Sequence, residues 1–302
     1  MISKSVLTIG NFDGIHIGHR KLLNRLTEIA AANMLNSVVI TFSDHPAFTL
    51  NSAATPKLLC PPMLKERELH ALGVNDVAML QFTPGMAQQT ALQFLRNYIV
   101  PSWKPEIIIM GYDSHFGFNR QGNYEFLSRV APDFGFHVEY VPPLLAGDKP
   151  VSSSMIRNLL LQGNIILANS MLGKPYCLTG NVAKGIGKGT GFGFPTANLQ
   201  LATPHQLIPK DGIYLSKVHL QDASFFGLTN IGSSPTVKHT GIVEIETFLL
   251  DFSGDIYGYP IELELLQYLR EEKVFRNESE LISAMQQDLS KAQEIISAEA
   301  GN

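Results

Sequence analysis

The feature that most constrains this chain is the alternation running through its first half. Short aliphatic and β-branched runs at 6–10 (VLTIG), 38–42 (VVITF), 77–80 (VAML) and 107–110 (IIIM), with a weaker alternating run at 137–141 (HVEYV), are separated by segments of helical spacing. Leu22, Leu23, Leu26, Ile29 and Ala30 repeat on one helical face. Leu64, Leu69 and Leu72 do so in a segment opened by Pro61-Pro62 and closed by Gly73, and Leu92, Phe94, Leu95 and Ile99 mark a third. Strands that are apolar along their whole length are buried on both faces, which calls for a parallel sheet covered by helices on each side. Ligands of such sheets lie at the carboxyl ends of the strands.

Two further helices are expected at Met155–Gln162 and Ile165–Leu172, and the turn chemistry of Gly173-Lys174-Pro175 places a domain boundary there, giving domains 1–173 and 174–302. At roughly 150 residues per domain, 302 residues agree with two. The second half reads as antiparallel strands at 176–182, 213–220, 245–252 and 261–269, separated by Gly, Asp and Pro turns. That pattern suggests a small barrel. A last helix follows, with Asn277 and Glu280 as a capping box and Leu281, Ile282, Met285 and Leu289 on one face.

Charge narrows the function. A formal net charge of −4 argues against a protein that lives on the phosphate backbone of nucleic acid. Cys60 and Cys177 lie far apart, in no metal-like spacing, and read as reduced thiols. The apolar run after Met1 is too short for a signal segment, and no stretch has the 18 or so apolar residues of a membrane span. The expectation is a cytoplasmic protein with small-molecule substrates, no nucleic-acid or membrane partner, and an open oligomeric state.

Three clusters could carry chemistry. The first is Gly10-Asn11-Phe12-Asp13-Gly14-Ile15-His16-Ile17-Gly18-His19, between the first strand and the first helix. Its glycines let backbone approach a ligand, the helix start favours phosphate, and His16 and His19 can donate ring N–H groups to phosphoryl oxygens. The same residues also suit a glycine-rich turn with two solvated histidines; a zinc pair would need a third ligand that is not at metal spacing. The second is Ser152-Ser153-Ser154 with Arg157 one turn on, either an anion cradle or an ordinary N-cap with a surface arginine. The third is the run Gly185, Gly187, Lys188, Gly189, Gly193 ending in Pro195-Thr196-Ala197-Asn198. It is either a phosphate-wrapping loop, with Thr196 and Asn198 as hard oxygen ligands for Mg²⁺, or a mobile surface loop. Glu246, beside Ile245, Phe248 and Leu249, fits a general base with a raised pKa and equally a carboxylate on a wet strand face.

Taken together, these motifs resemble the bifunctional bacterial riboflavin kinase/FAD synthetase family along nearly the whole chain. Gly10 to His19 is similar to the signature of its FMN adenylyltransferase domain, a Rossmann-like nucleotidylyltransferase. Ser152 to Arg157 is similar to its second signature. Gly185 to Asn198, Gly212-Ile213-Tyr214, Asn230-Ile231-Gly232, Glu246 to Phe252 and Arg270 to Phe275 resemble its riboflavin kinase barrel. The resemblance implies ATP-dependent phosphorylation of riboflavin to FMN and then adenylylation of FMN to FAD. His16, His19 and Gly18 would hold ATP phosphates, with Gly10, Asn11, Phe12, Asp13, Gly14 and Asp113 shaping the nucleotide and flavin site. Ser152, Ser153 and Arg157 would steady the triphosphate. Thr196 and Asn198 would hold Mg²⁺, and Glu246 would accept the riboflavin proton. The segment 111–122 keeps Gly111, Asp113, Phe116, Gly117, Arg120 and Gly122 but has Ser114 and His115 where the family usually has Phe and Arg, which removes a cation. Ser154 replaces Thr, and Phe248 stands where His is common. A kinase with an impaired adenylyltransferase, and a non-catalytic flavin or nucleotide sensor, are the alternatives.

Overall fold

The computed structural model describes residues 4–44, 46–49, 56–183, 196–233 and 243–300, and the chain divides into two compact units, Met1–Ser153 and Ser154–Asn302. In the first, β1 (Ser5–Ile9), β2 (Asn36–Phe42), β3 (Asp76–Leu80), β4 (Pro105–Gly111) and β5 (His137–Val141) form a parallel sheet in the order β3-β2-β1-β4-β5. Every residue of β1 is buried, as its unbroken apolar run requires. Helices cover both faces. Leu22, Leu23, Leu26 and Ile29 of the helix Ile17–Asn33 join Val6, Val39 and Ile109 in one cluster, and Leu7, Ile40, Ile108, Phe94 and Leu127 form the other. The order reverses beside β1, whose neighbours are β2 and β4, and crevices form at the carboxyl ends of strands at such a point.

The third expected helix departs from a regular one. Ala91–Phe94 is α-helical, Leu95–Ile99 is a π-helical stretch, and Val100–Trp103 resumes the α-helix. Pro101 lacks the amide proton needed to continue a regular ladder, and the wider stretch precedes it. A two-residue hairpin, β6 (Leu145–Ala146) with β7 (Lys149–Pro150), follows β5.

The second unit holds a closed barrel in the order β10-β11-β12-β9-β8-β13. Its strands are β8 (Tyr176–Ala183), β9 (Thr196–Leu201), β10 (Gly212–Leu220), β11 (Ala223–Ser233), β12 (Val243–Leu249) and β13 (Pro260–Arg270), and their pairing is antiparallel. Two of these, β9 and β11, add to the four strands read from sequence. Gly227, Asn230 and Gly232 break the pattern in β11, while β9 alternates but is short and offers only Ala197, Leu199 and Leu201 on its apolar face. The helix Ile165–Leu172 packs on β13 and β8, and Asn169 ties the start of β8 to the middle of β13 by accepting from Tyr176 N–H and donating to Leu265 O, both at 2.8 Å. The closing helix, Glu278–Ala300, is capped by Asn277 Oδ1, which accepts from Glu280 N–H. The expected capping box is incomplete, because the Glu280 carboxylate reaches back to the amide of Arg276 instead of that of Asn277. Among the described residues, no helix is long and apolar enough to cross a membrane.

Candidate active sites

In the first unit a cavity of about 1020 Å³ opens at the carboxyl ends of β1, β2, β4 and β5. Its floor is the turn after β1. Phe12 and Ile15 both take left-handed backbone conformations, φ 50° and 43°, which a β-branched residue rarely adopts. Strain of this sort marks a backbone held in place by its surroundings for a purpose. Gly14 turns at φ 83°, and a Cβ on Gly18 would sit 3.2 Å from the His16 ring.

His16 is the N-cap of the helix Ile17–Asn33, and its Nδ1 accepts the amide proton of His19 at 3.3 Å. That bond leaves Nδ1 bare, so a neutral His16 carries its proton on Nε2. The two imidazoles stack with centroids 3.6 Å apart and planes 17° apart, and Phe12 meets His19 edge-on. Burial lowers the His16 pKa from 6.5 to about 4. Burial, followed by the charges of His16 and Lys65, also pushes His19 well below its ordinary value. Both rings are therefore neutral at pH 7 and act as hydrogen-bond groups, not cations. His19 Nδ1 is buried with no hydrogen-bond partner among the described residues.

Asp13 lines the cavity, but its carboxylate faces away from any phosphate role. Its oxygens accept the amides of Leu59 (2.9 Å) and Cys60 (3.0 Å), fixing the segment before the helix Pro62–Ala71. Lys65, on that helix, was missed by sequence reasoning. It is 5% exposed, and its Nζ donates to Asn11 O at 3.2 Å and Phe42 O at 2.7 Å, tying the ends of β1 and β2 together. Desolvation lowers its pKa, and Asp13 opposes that shift. The available signal was position: Lys65 lies four residues before the core residue Leu69, on the buried helical face.

Ser153 Oγ donates to Asp13 O at 2.9 Å, which pins the second signature to the first. Gly10, Asn11, Gly18, Asp113 and Ser153 line the cavity together with both histidines; Ser152 and Gly14 do not, and Arg157 lies in the second unit on the helix Ser153–Leu161. Ser114, in place of an aromatic residue, accepts the Gly111 amide at 3.1 Å. The opposite wall is aromatic and apolar, with Phe42, Phe82, Met86, Phe116 and Phe118.

In the second unit, residues 185–195 lie outside the described residues, so Gly185, Gly187, Lys188, Gly189, Gly193 and Pro195 have no structural account here. The residues that follow are placed. Asn198 of β9 stands opposite Glu246 of β12, and Glu246 stands opposite Asn230 of β11; Thr196 pairs with Phe248. Side chains alternate along a strand, so Thr196, Asn198, Glu246 and Asn230 share one face, with directly opposed Cβ atoms about 5 Å apart. Asn230 Oδ1 is buried with no hydrogen-bond partner among the described residues. On the other face, Ser216, Thr229 and Thr247 form a buried hydroxyl chain with links of 2.7 and 2.9 Å that holds β10, β11 and β12 in register.

The geometry thus presents a crevice of about 1020 Å³ on a parallel sheet and a row of oxygen-bearing side chains on a barrel. Comparison with known proteins finds the same pair. A family model for FAD synthetase matches residues 1–155, and one for riboflavin kinase matches 172–296. Proteins named bifunctional riboflavin kinase/FMN adenylyltransferase are similar from end to end. The one from Escherichia coli (strain K12) is 34% identical over 291 residues, covering 96% of this chain and 92% of the relative. That from Listeria monocytogenes is 32% identical, covering 94% and 90%. A crystal structure described as a macrolide-efflux protein from Streptococcus pneumoniae superposes with a TM-score of 0.88 at 31% identity, covering 97% of this chain and 95% of that one. The efflux name belongs to that protein; the two matched domains here are both those of flavin-cofactor synthesis. With both domains matched in order and relatives covering nearly its full length, the chain belongs to the bifunctional riboflavin kinase/FMN adenylyltransferase family.

Proposed function

We propose that this chain makes FMN and FAD in two consecutive ATP-dependent steps, one in each unit. The observation that carries the reading is the coexistence of the two sites in a chain whose family membership covers both. In the barrel, Glu246 accepts the proton of the riboflavin 5′-hydroxyl as that oxygen attacks the γ-phosphorus of ATP and ADP leaves. Thr196 and Asn198 would hold Mg²⁺, with Asn230 Oδ1 as a further acceptor in the same row. A Mg²⁺ site suits this donor set, since that ion is held by few protein oxygens and completes its shell with phosphates and water. When bound, the ion neutralises charge developing on the phosphates.

In the crevice, the FMN phosphate attacks the α-phosphorus of a second ATP and pyrophosphate leaves. A phosphomonoester is largely ionised at pH 7, its second pKa being near 6, so no general base is needed. The site accordingly supplies donors. His16 and His19, neutral and stacked, offer ring N–H groups to phosphate oxygens without a competing positive charge to be desolvated. The amides at the helix start add to them. Phe42, Phe82, Phe116 and Phe118 suit the flat isoalloxazine ring. The second signature supplies Ser152 and Arg157 by resemblance. Lys65 and Asp13 act as scaffolding for this floor. The reduced thiols Cys60 and Cys177 support a cytoplasmic setting.

The test is a time course of riboflavin with ATP and Mg²⁺, resolved by chromatography. FMN should rise first and FAD follow, with pyrophosphate released in step with FAD. FMN accumulating alone would select the impaired-adenylyltransferase alternative, and bound flavin without product would select the sensor.

A further inference from the structure

The adenylylation step ends with a free pyrophosphate, yet the cavity-lining donors described so far are neutral, and Arg157 is not among the lining residues. Stacked 3.6 Å apart, the two histidine rings cannot both carry charge at pH 7. Lys65 is turned to backbone carbonyls and does not line the cavity. Asp113 lines it as an exposed carboxylate, whereas the Asp13 carboxylate is turned to the Leu59 and Cys60 amides, so an anion there meets negative charge and no cation from these residues. Among the described lining residues, a single side chain carries a permanent positive charge, Arg120.

Arg120 is exposed at this wall, and its only side-chain bond among the described residues is to His115, Nη2 to Nδ1 at 3.0 Å; it has no carboxylate partner. The same Nδ1 lies 2.8 Å from the carbonyl oxygen of Asp113. A guanidinium only donates, so it needs Nδ1 bare, whereas the carbonyl only accepts and needs Nδ1 protonated. Nδ1 satisfies one neighbour at a time. Arg120 is thus held by a contested bond that a phosphate oxygen, able to receive a bidentate guanidinium, outcompetes. The backbone fixes where this happens. Gly117, Asn119 and Arg120 are all left-handed (φ 75°, 51° and 57°), and a Cβ on Gly117 would lie 2.5 Å from the Ala91 amide. Phe118 N–H donates to Gln89 O at 2.6 Å, which anchors the loop.

We propose that Arg120 is the cation of the cavity wall, binding the β- and γ-phosphates of ATP and stabilising the departing pyrophosphate, and that His115 is the positioning residue that holds it there. This rests on the adenylyltransferase reading of the cavity. With the cation at position 115 replaced by His115, Arg120 is the permanent charge left among the described lining residues, and position 115 steers it.

The experiment uses the full chain in two arms. Titration of the protein with inorganic pyrophosphate reads the proposal directly: Arg120→Ala should weaken binding by about 10- to 100-fold, the range of one lost charge-assisted bond, and Arg120→Lys should recover part of it. Turnover of FMN and ATP reads the step. Arg120→Ala should lower kcat and raise KM for ATP, whereas His115→Ala should raise KM for ATP while leaving kcat within about 3-fold, as expected of a residue acting through another. Unchanged hydrogen-exchange protection of β1 to β5 reports that the first unit of the variants is folded, and formation of FMN from riboflavin reports the same of the second. Unchanged pyrophosphate binding in Arg120→Ala, or none in the unaltered protein, overturns the proposal. Weakened binding together with no FAD from the unaltered protein leaves Arg120 an anion ligand and overturns the adenylyltransferase reading instead.

Discussion

Residue scale is where burial and chemistry meet most directly. His16 is 5% exposed and its pKa falls to about 4, while in the unfolded chain it titrates near 6.5. Between those values the unfolded state binds the proton and the folded state does not, so this contribution is intact above pH 6.5 and is lost as pH falls toward 4. Integrated over that window the loss is about 3 kcal/mol. His16→Asn keeps an N-cap acceptor for the His19 amide and does not titrate. Urea unfolding at pH 7 and pH 4.5 should therefore show a smaller acid loss in His16→Asn than in the unaltered chain, by about 2 to 3 kcal/mol. Equal losses would mean that His16 is not buried neutral. Lys65 shows why part of the site was illegible in sequence. Its function depends on the carbonyls of Asn11 and Phe42, 54 and 23 residues away, converging on one ammonium, and no local pattern encodes that meeting.

At the scale of elements, an ion pair helps tie the helix Glu278–Ala300 to β13, beside the apolar packing of Ala292, Ile295 and Ile296. Arg270, at the end of β13, donates Nε to Asp288 Oδ1 at 2.9 Å and Nη2 to Oδ2 at 2.7 Å, with Asp288 only 7% exposed. Asp288→Ala would strand a largely buried guanidinium, at a cost of about 3 kcal/mol. Hydrogen exchange should speed up along the 278–300 helix in that variant, with β1 to β5 unchanged; unaltered protection of the helix would contradict this anchoring role. The sequence pattern exposed the elements unevenly, for a physical reason. Strands β1, β2 and β4 are buried on both faces and read as unbroken apolar runs. Strand β11 carries Asn230 on one face and Thr229 in the buried hydroxyl chain on the other, so its polar residues interrupt the apolar period; β9 keeps the period, apolar at Ala197, Leu199 and Leu201, but is only six residues long. The helix at Leu92–Ile99 was legible as helical, but its π-helical stretch was not, since spacing alone does not distinguish a wider turn.

On the scale of the whole molecule, two phosphate-handling designs share one chain. In the proposed reading, one uses a helix start, neutral imidazoles and Arg120 on a parallel sheet, and the other a row of oxygen donors on a barrel face. The motif from Gly10 to His19 was legible because a glycine-rich strand-to-helix turn is local. The row Asn198–Glu246–Asn230 was not, because strand register, which the sequence does not state, places those residues side by side. The central claim is that each unit carries its own ATP chemistry. It is tested most directly by following flavin products in two single variants of the full chain. His19→Ala should convert riboflavin to FMN and stop there. Glu246→Gln should form no FMN from riboflavin yet turn supplied FMN into FAD. Loss of both products in either variant, or of neither in both, would contradict the account.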